Sequence, residues 1–394
     1  MSSNITITLL PEYMLGRYFQ LAALSIYFSI KPGKLRSLYG VLDKGVSLTN
    51  SELVDLVEAT RNLLLEKYGL KEYDPCKLLE SMNKDLPRAY LPNDEKAFSE
   101  LYFPSFNYEA CLGERKGKKA GISYPEIAVS FIEEILSKKG VVAPKDVRRK
   151  PALFGSFIFS EDKLRGLTGR VLHDNISLAI GVLGVMVSYA GRVPAGPEET
   201  LELFLLPDGS IESLMYSLLI YDLLFKGNIN SWKKLAESLV DLPSTSIERA
   251  LIMASSIKFS SARDEDLRQL TNNWLPEKFI LLRVKPERRP NISGSTTLTS
   301  RFISSSRDIE VVRALERMIN AIRGLKNKEK EKVLAAVGDC VNYLTEAYFT
   351  NNKTLLVECA RLLIPLYQDE DLPVLVREAI ASFIEVLANA IRLP

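Results

Sequence analysis

The chain has 394 residues, 46% hydrophobic and 25% charged, which is a globular composition long enough for two or three domains that bury large cores without staples. Its 51 Lys and Arg stand against 49 Asp and Glu, so the net charge is only +2 and any electropositive function must come from local clustering. The one histidine, His173, rules out a histidine-rich metal site.

From the N-terminus, Asn4 to Leu10 alternates β-branched with other residues and predicts a strand. Pro11 then opens an apolar helix, Glu12 to Ile30, followed by the turn Lys31-Pro32-Gly33-Lys34. Thr49 and Glu52 have capping-box spacing, and Leu53, Leu56, Val57, Leu63 and Leu64 continue a helix behind them. Residues 70–125, with five prolines, read as irregular. Helical spacing returns at 124–138, a buried strand is predicted at 152–160, and a glycine-containing helix at about 162–190. The apolar stretch inside that helix, Ile176 to Ala190, is shorter than the roughly 20 residues that span a bilayer, so it reads as a core helix. Further expectations are a strand at 201–207, helices at about 210–226, 231–240 and 245–257, and a strand at 278–285. Residues 286–306 read as a Ser/Thr/Arg-rich connector. Four amphipathic helices follow, near 308–325, 328–349, 353–367 and 373–392, and their short turns predict a four-helix bundle. The fold class expected is therefore α+β and predominantly helical. Its domains would be 1–150, a central 151–306 of mixed α/β character, and the bundle 307–394.

Chemistry-bearing motifs are scarce. A Ser-His-Asp triad would have to use His173, and no nucleophile elbow is present. On a helix, His173 and Asp174 would point about 100° apart, so they form no dyad, and the histidine reads as a polar residue at a helix start. The carboxylate runs Asp264-Glu265-Asp266 and Asp369-Glu370-Asp371 read as caps or solvated faces. No phosphate-cradling or dinucleotide-binding glycine motif occurs. Cys76, Cys111, Cys340 and Cys359 lack metal-ligand spacing and are expected as buried free thiols in a reducing compartment. The expectation is no catalytic residue, no metal and no cofactor. The start of the chain lacks the basic n-region of a signal peptide, and together these features predict a cytoplasmic protein with no membrane partner. Three glutamines and one histidine among many Lys, Arg and Glu resemble a thermophile's composition.

The positive signals are three basic clusters in loop contexts. Arg115, Lys116, Lys118 and Lys119 lie between glycines that let backbone approach a phosphate, and Tyr102, Phe103, Phe106 and Tyr108 before them are candidates to stack on bases. Lys145, Arg148, Arg149 and Lys150 form the second; a charged linker would look the same. The third is Arg283, Lys285, Arg288, Arg289 and Arg301, five cations against the single carboxylate Glu287, a local charge of +4. Asn291, Ser293, Ser295, Thr296 and Thr297 are interleaved with it, the donor chemistry of backbone-phosphate positioning. Residues 307–394 carry 12 Lys and Arg and 13 Asp and Glu, so the bundle is near neutral and suits docking against protein. Lys326, Lys328, Lys330 and Lys332 read as a solvated corner of it. The competing expectation is a protein-interaction scaffold whose basic loops only solubilise.

In length, in the short N-terminal strand before an apolar helix, in the Gly113 to Gly121 basic loop and in the closing helical bundle, the chain resembles the large subunit of archaeal type I-A CRISPR effector (Cascade) complexes. The resemblance lies in order and character over most of the chain, without a diagnostic motif. It implies a non-enzymatic subunit that contacts guide RNA and target DNA, reads a short flanking motif, and works with other effector-complex subunits and a recruited helicase-nuclease. In that reading Lys116, Lys118 and Lys119 would probe the flanking duplex, and Arg283, Arg288 and Arg289 would track a strand.

Overall fold

The computed structural model describes residues 4–12, 14–38, 45–86, 100–112, 122–147, 173–195, 199–225, 229–243, 245–285, 291–299, 306–323, 325 and 327–392. They form two compact units. The first comprises Met1–Arg192, Thr200–Ile229 and Lys278–Ser295, and the second Val193–Glu199, Asn230–Glu277 and Thr296–Pro394. This division shares the expected central segment 151–306 between the two units.

In the first unit, β1 (Asn4–Ile7) pairs antiparallel with β2 (Val46–Thr49). The long helix α1 (Leu15–Ile30) begins four residues beyond Pro11, with Met14 as an N-cap that makes no side-chain hydrogen bond. After α2 (Pro32–Leu38), α3 (Asn50–Lys67) starts at the expected capping box: Thr49 Oγ1 accepts from the Glu52 N–H at 3.2 Å, and Glu52 Oε2 accepts from the Thr49 N–H at 2.8 Å. The stretch read as irregular contains α4 (Pro75–Asp85) and the short α5 (Tyr108–Leu112). Asp74 caps α4 and Pro75 sits at its first turn, where a missing N–H costs nothing. Next come α6 (Tyr124–Ser137), the two-residue pair β3 (Asp146–Val147) and β4 (His173–Asp174), and α7 (Asn175–Ser188). The expected strand 152–160 lies outside the described residues.

Every residue of α7 is buried, as befits a helix that is apolar all round. It crosses α1 closely because Gly184 carries no side chain; a Cβ there would stand 1.7 Å from the Phe19 carbonyl oxygen. Gln20 of α1 ties the junction. It accepts from the Leu10 N–H at 2.7 Å and donates to the carbonyls of Thr8 at 3.0 Å and Ser177 at 2.8 Å. The C-terminal end of α7 is capped from outside by Lys67. Its buried ammonium donates to Met186 O at 2.8 Å and Val187 O at 2.9 Å in the last turn of the helix, and to Tyr189 O at 2.5 Å at its C-cap. Burial pulls its pKa well below the ordinary lysine value, with Asp85 acting the other way.

The helix expected at about 162–190 begins, among the described residues, only at Asn175, because His173–Asp174 is β4, and it stops at Ser188, where β5 (Tyr189–Pro194) begins. With β6 (Thr200–Pro207), β7 (Phe279–Lys285) and β8 (Asn291–Thr297) it makes a four-stranded sheet in the order β5-β6-β7-β8. The β6–β7 pairing is antiparallel, with Leu203 opposite Arg283 and Phe204 opposite Leu282. Phe204 meets Phe19 of α1 edge-on, with ring centroids 5.3 Å apart. The helix α8 (Ile211–Phe225) packs on α1.

The second unit is helical. It holds α9 (Ile229–Val240, from Asn230 onward), α10 (Ile247–Ser260) and α11 (Asp264–Asn273). The four C-terminal helices are α12 (Ser306–Ile322), α13 (Asn327–Thr350), α14 (Thr354–Tyr367) and α15 (Val374–Arg392). They pack α12 on α15, α15 on α14 and α14 on α13, while the consecutive pair α12 and α13 touch little and α10 packs against both. The chain is thus α+β and predominantly helical with a C-terminal four-helix bundle, as its periodicity implies.

The expectation of free thiols is overturned. Cys76 is bonded to Cys111 and Cys340 to Cys359, leaving no free cysteine among the described residues. Cys340 and Cys359 occupy core positions of the adjacent helices α13 and α14, and packing those faces brings their Cα atoms to 4.4 Å.

Candidate nucleic-acid interface

Strand geometry decides where the third basic cluster falls. The sheet order makes β7 an interior strand and β8 an edge strand. From Leu281 to Val284 β7 is buried on both faces, so Arg283 is only 7% exposed. Its guanidinium lies against the glycine of β8: a Cβ built on Gly294 would meet Arg283 Nη2 at 2.2 Å. Gly294 therefore makes room for the arginine on the inner side of the edge strand. Side chains alternate along a strand, and the neighbouring Ser293 and Ser295 are exposed on the other side. This corrects the expectation for Arg283. It is a buried cation lying over Gly294 of β8, and it does not line the exposed hydroxyl face.

Lys285, at the end of β7, is half-buried, and Asn291 is the first residue of β8. Arg115, Lys116, Lys118, Lys119, Arg148, Arg149, Lys150, Arg288, Arg289 and Arg301 lie outside the described residues. What the sheet itself presents is an edge strand with outward hydroxyls, Ser293 and Ser295 among them, reached through a chain segment of high positive charge density.

The aromatic residues proposed as base platforms are placed differently. Phe103 and Phe106 are 4% and 5% exposed, and Phe103 packs on Phe131 with centroids 5.0 Å apart. The Tyr102 hydroxyl donates to Phe106 O at 2.7 Å. These side chains close the core beside α6, because apolar rings gain more from burial there than from standing in water. Tyr108 is half-buried in α5.

His173 pairs with Val147 in the small β3–β4 ladder and is 2% exposed. Asp174 is the N-cap of α7, accepting from the Ser177 N–H at 2.8 Å and from Ser177 Oγ at 2.6 Å. Its carboxylate is engaged in capping, away from any partnership with the histidine. Asp264, Glu265 and Asp266 form the first turn of α11, where their charge complements the helix dipole; the N-cap is Arg263, which makes no side-chain capping hydrogen bond and binds Asp266 at 2.9 Å.

Other polar features escaped the sequence reading. Glu202 is fully buried in β6 and paired with Arg192 of β5 at 3.0 Å. A cavity of about 430 Å³ in the first unit is edged by Asp55, Glu58, Glu66 and Asp222 against the single cation Lys31, a field that repels a polyanion. The carboxylates whose pKa moves among the described residues, Glu52, Glu134 and Asp369, are all lowered. No group of three or more His, Cys, Asp or Glu is gathered for a metal ion among the described residues, and no described helix is long and apolar enough to cross a membrane. No protein-family model, no curated protein and no solved structure matches this chain.

Proposed function

We propose that the chain is a non-catalytic, nucleic-acid-binding subunit of a CRISPR RNA-guided antiviral surveillance complex, the role of the large subunits it resembles. In that role it contacts guide RNA and target DNA, including a short flanking motif, beside other effector subunits and a recruited helicase-nuclease. One observation carries the reading: the segment that runs into the edge strand β8 holds Lys285, Arg288 and Arg289 against Glu287, a local charge of +2, and Ser293 and Ser295 of that strand face outward. Cations flanked by hydroxyl donors position a phosphate backbone without reading its sequence. A cytoplasmic, thermophilic setting is part of the proposal. Two disulfides accord with it, because intracellular proteins of hyperthermophiles are disulfide-rich where those of mesophiles are not.

The test is fluorescence anisotropy with labelled RNA and DNA oligonucleotides over a salt series. Affinity is expected to fall by an order of magnitude or more between low and moderate salt, linearly on logarithmic axes. Arg288→Glu with Arg289→Glu is expected to weaken all sequences alike. Binding that is absent at low salt, or unchanged in the double variant, overturns the assignment to this segment.

A second reading, a protein-interaction scaffold, is favoured by a different observation. Where α14 turns into α15, Ile364, Tyr367, Val374 and Leu375 are 41%, 49%, 57% and 76% exposed. Large apolar side chains gathered at one turn suit a protein partner, and such a partner is compatible with either reading.

A further inference from the structure

A cavity of about 220 Å³ lies in the second unit between α9, α12 and α13, where the consecutive bundle helices fail to close on each other. Its walls are aliphatic: Leu242, Ile319, Ile322, Leu334 and Val337. Four of them are nearly removed from water, at 3%, 4%, 2% and 0% exposure for Leu242, Ile319, Ile322 and Val337. The polar part of the lining contains two cations, Arg323 and Lys330, and one carboxylate, Asp241, so it carries one net positive charge.

Arg323 is fixed in place by neutral groups alone. Its Nε and Nη2 donate to Ser238 Oγ at 2.9 and 2.6 Å, Nη2 to Lys234 O at 2.8 Å, and Nη1 to Asn320 Oδ1 at 3.0 Å. Among the described residues neither Arg323 nor Lys330 meets a carboxylate within ion-pair distance. Four hydrogen bonds therefore tether the exposed guanidinium, and one of its five N–H donors is left for another acceptor. A preorganised, uncompensated cation beside an aliphatic cavity is complementary to a molecule with one anionic group and an apolar tail. A 150 Å³ apolar cavity accommodates benzene, so by proportion this one takes a tail of about nine carbons.

We propose that this cavity binds a medium-chain carboxylate or a similar monoanionic amphiphile. The tail lies among the aliphatic walls and the head group meets Arg323 and Lys330. The proposal is independent of nucleic-acid binding, since none of the candidate nucleic-acid-binding residues lines this cavity.

Isothermal titration calorimetry of the full chain with octanoate tests it, with 1-octanol as the neutral tail and acetate as the head alone. Octanoate is expected to bind at one site, about ten-fold or more tighter than either control, because a charge-assisted hydrogen bond is strong enough for that factor. Lys330→Gln is expected to weaken octanoate several-fold, leave octanol unchanged, and melt like the parent, since its side chain makes no described hydrogen bond. Arg323→Gln is expected to weaken octanoate further; should losing the Ser238 and Lys234 contacts unfold it, Lys330→Gln and the salt dependence of octanoate binding decide. No saturable binding of octanoate up to millimolar concentration, or octanoate and octanol binding equally and unmoved by Lys330→Gln, overturns the proposal.

Discussion

Glu52→Gln isolates one carboxylate whose contacts are fully laid out in the structure. Glu52 accepts from the Thr49 N–H at 2.8 Å, from the Tyr27 hydroxyl at 3.0 Å and from Lys34 Nζ at 2.9 Å. Burial alone raises its pKa, but these donors outweigh burial and bring it down from 4.5 to about 2. The glutamine carbonyl still accepts from Thr49. What is lost is the Tyr27 hydrogen bond, about 1 kcal/mol, and a partly exposed ion pair with Lys34, at the upper end of roughly 0.2–1 kcal/mol. The variant is therefore expected to be about 2 kcal/mol less stable around α3 at neutral pH. Because the folded pKa lies below the unfolded one, the stabilisation is complete above about pH 4.5 and is lost as pH falls through about 2. Native-state hydrogen exchange of the α3 amides measures it locally, which matters in a chain of two compact units, because one global unfolding free energy is not well defined for multi-domain proteins. Taking the difference between variant and parent at each pH cancels every other carboxylate. A gap as large at pH 2 as at pH 7, or none at pH 7, refutes the reasoning.

Gly184→Ala is expected to cost about 3 kcal/mol or more, because the added carbon meets the backbone of α1 rather than a movable side chain; the thermal midpoint reports it, and a variant that melts like the parent contradicts the close crossing. Breaking Cys340–Cys359, with 19 residues of separation, is expected to cost about 3 kcal/mol, and breaking Cys76–Cys111, with 35, about 4. Mass spectrometry after alkylation of the denatured, unreduced protein should find no modified thiol; four modified cysteines would restore the free-thiol reading.

What could be read from residues alone was whatever local chemistry fixes. Thr49 with Glu52 marked the start of α3, and the spacing of Val333, Val337, Cys340 and Leu344 marked α13, because caps and apolar faces act within one element. Asp74-Pro75 carried the start signal of α4, but the surrounding prolines obscured it. The end of α7 was overrun by two residues, since Tyr189 and Ala190 continue its apolar run while turning into β5. The edge strand β8 looked like a connector because its Ser, Gly and Thr residues have weak strand character and gain order only by pairing with β7. Burial of Arg283 depends on which strands flank β7, and cysteine pairing depends on which helices meet. Both are tertiary facts with no signature in spacing.

The interleaved path of the chain has a practical corollary for dissection. Strands β6 and β7 lie side by side in one sheet, yet the segment between them, Asn230–Glu277, belongs to the other compact unit. A stop codon or protease cut at 150 or 306 therefore severs no natural seam. Cutting near 229 strips the sheet of β7 and leaves an open strand prone to self-association. Obtaining either unit alone requires excising the intervening piece and splicing the flanks.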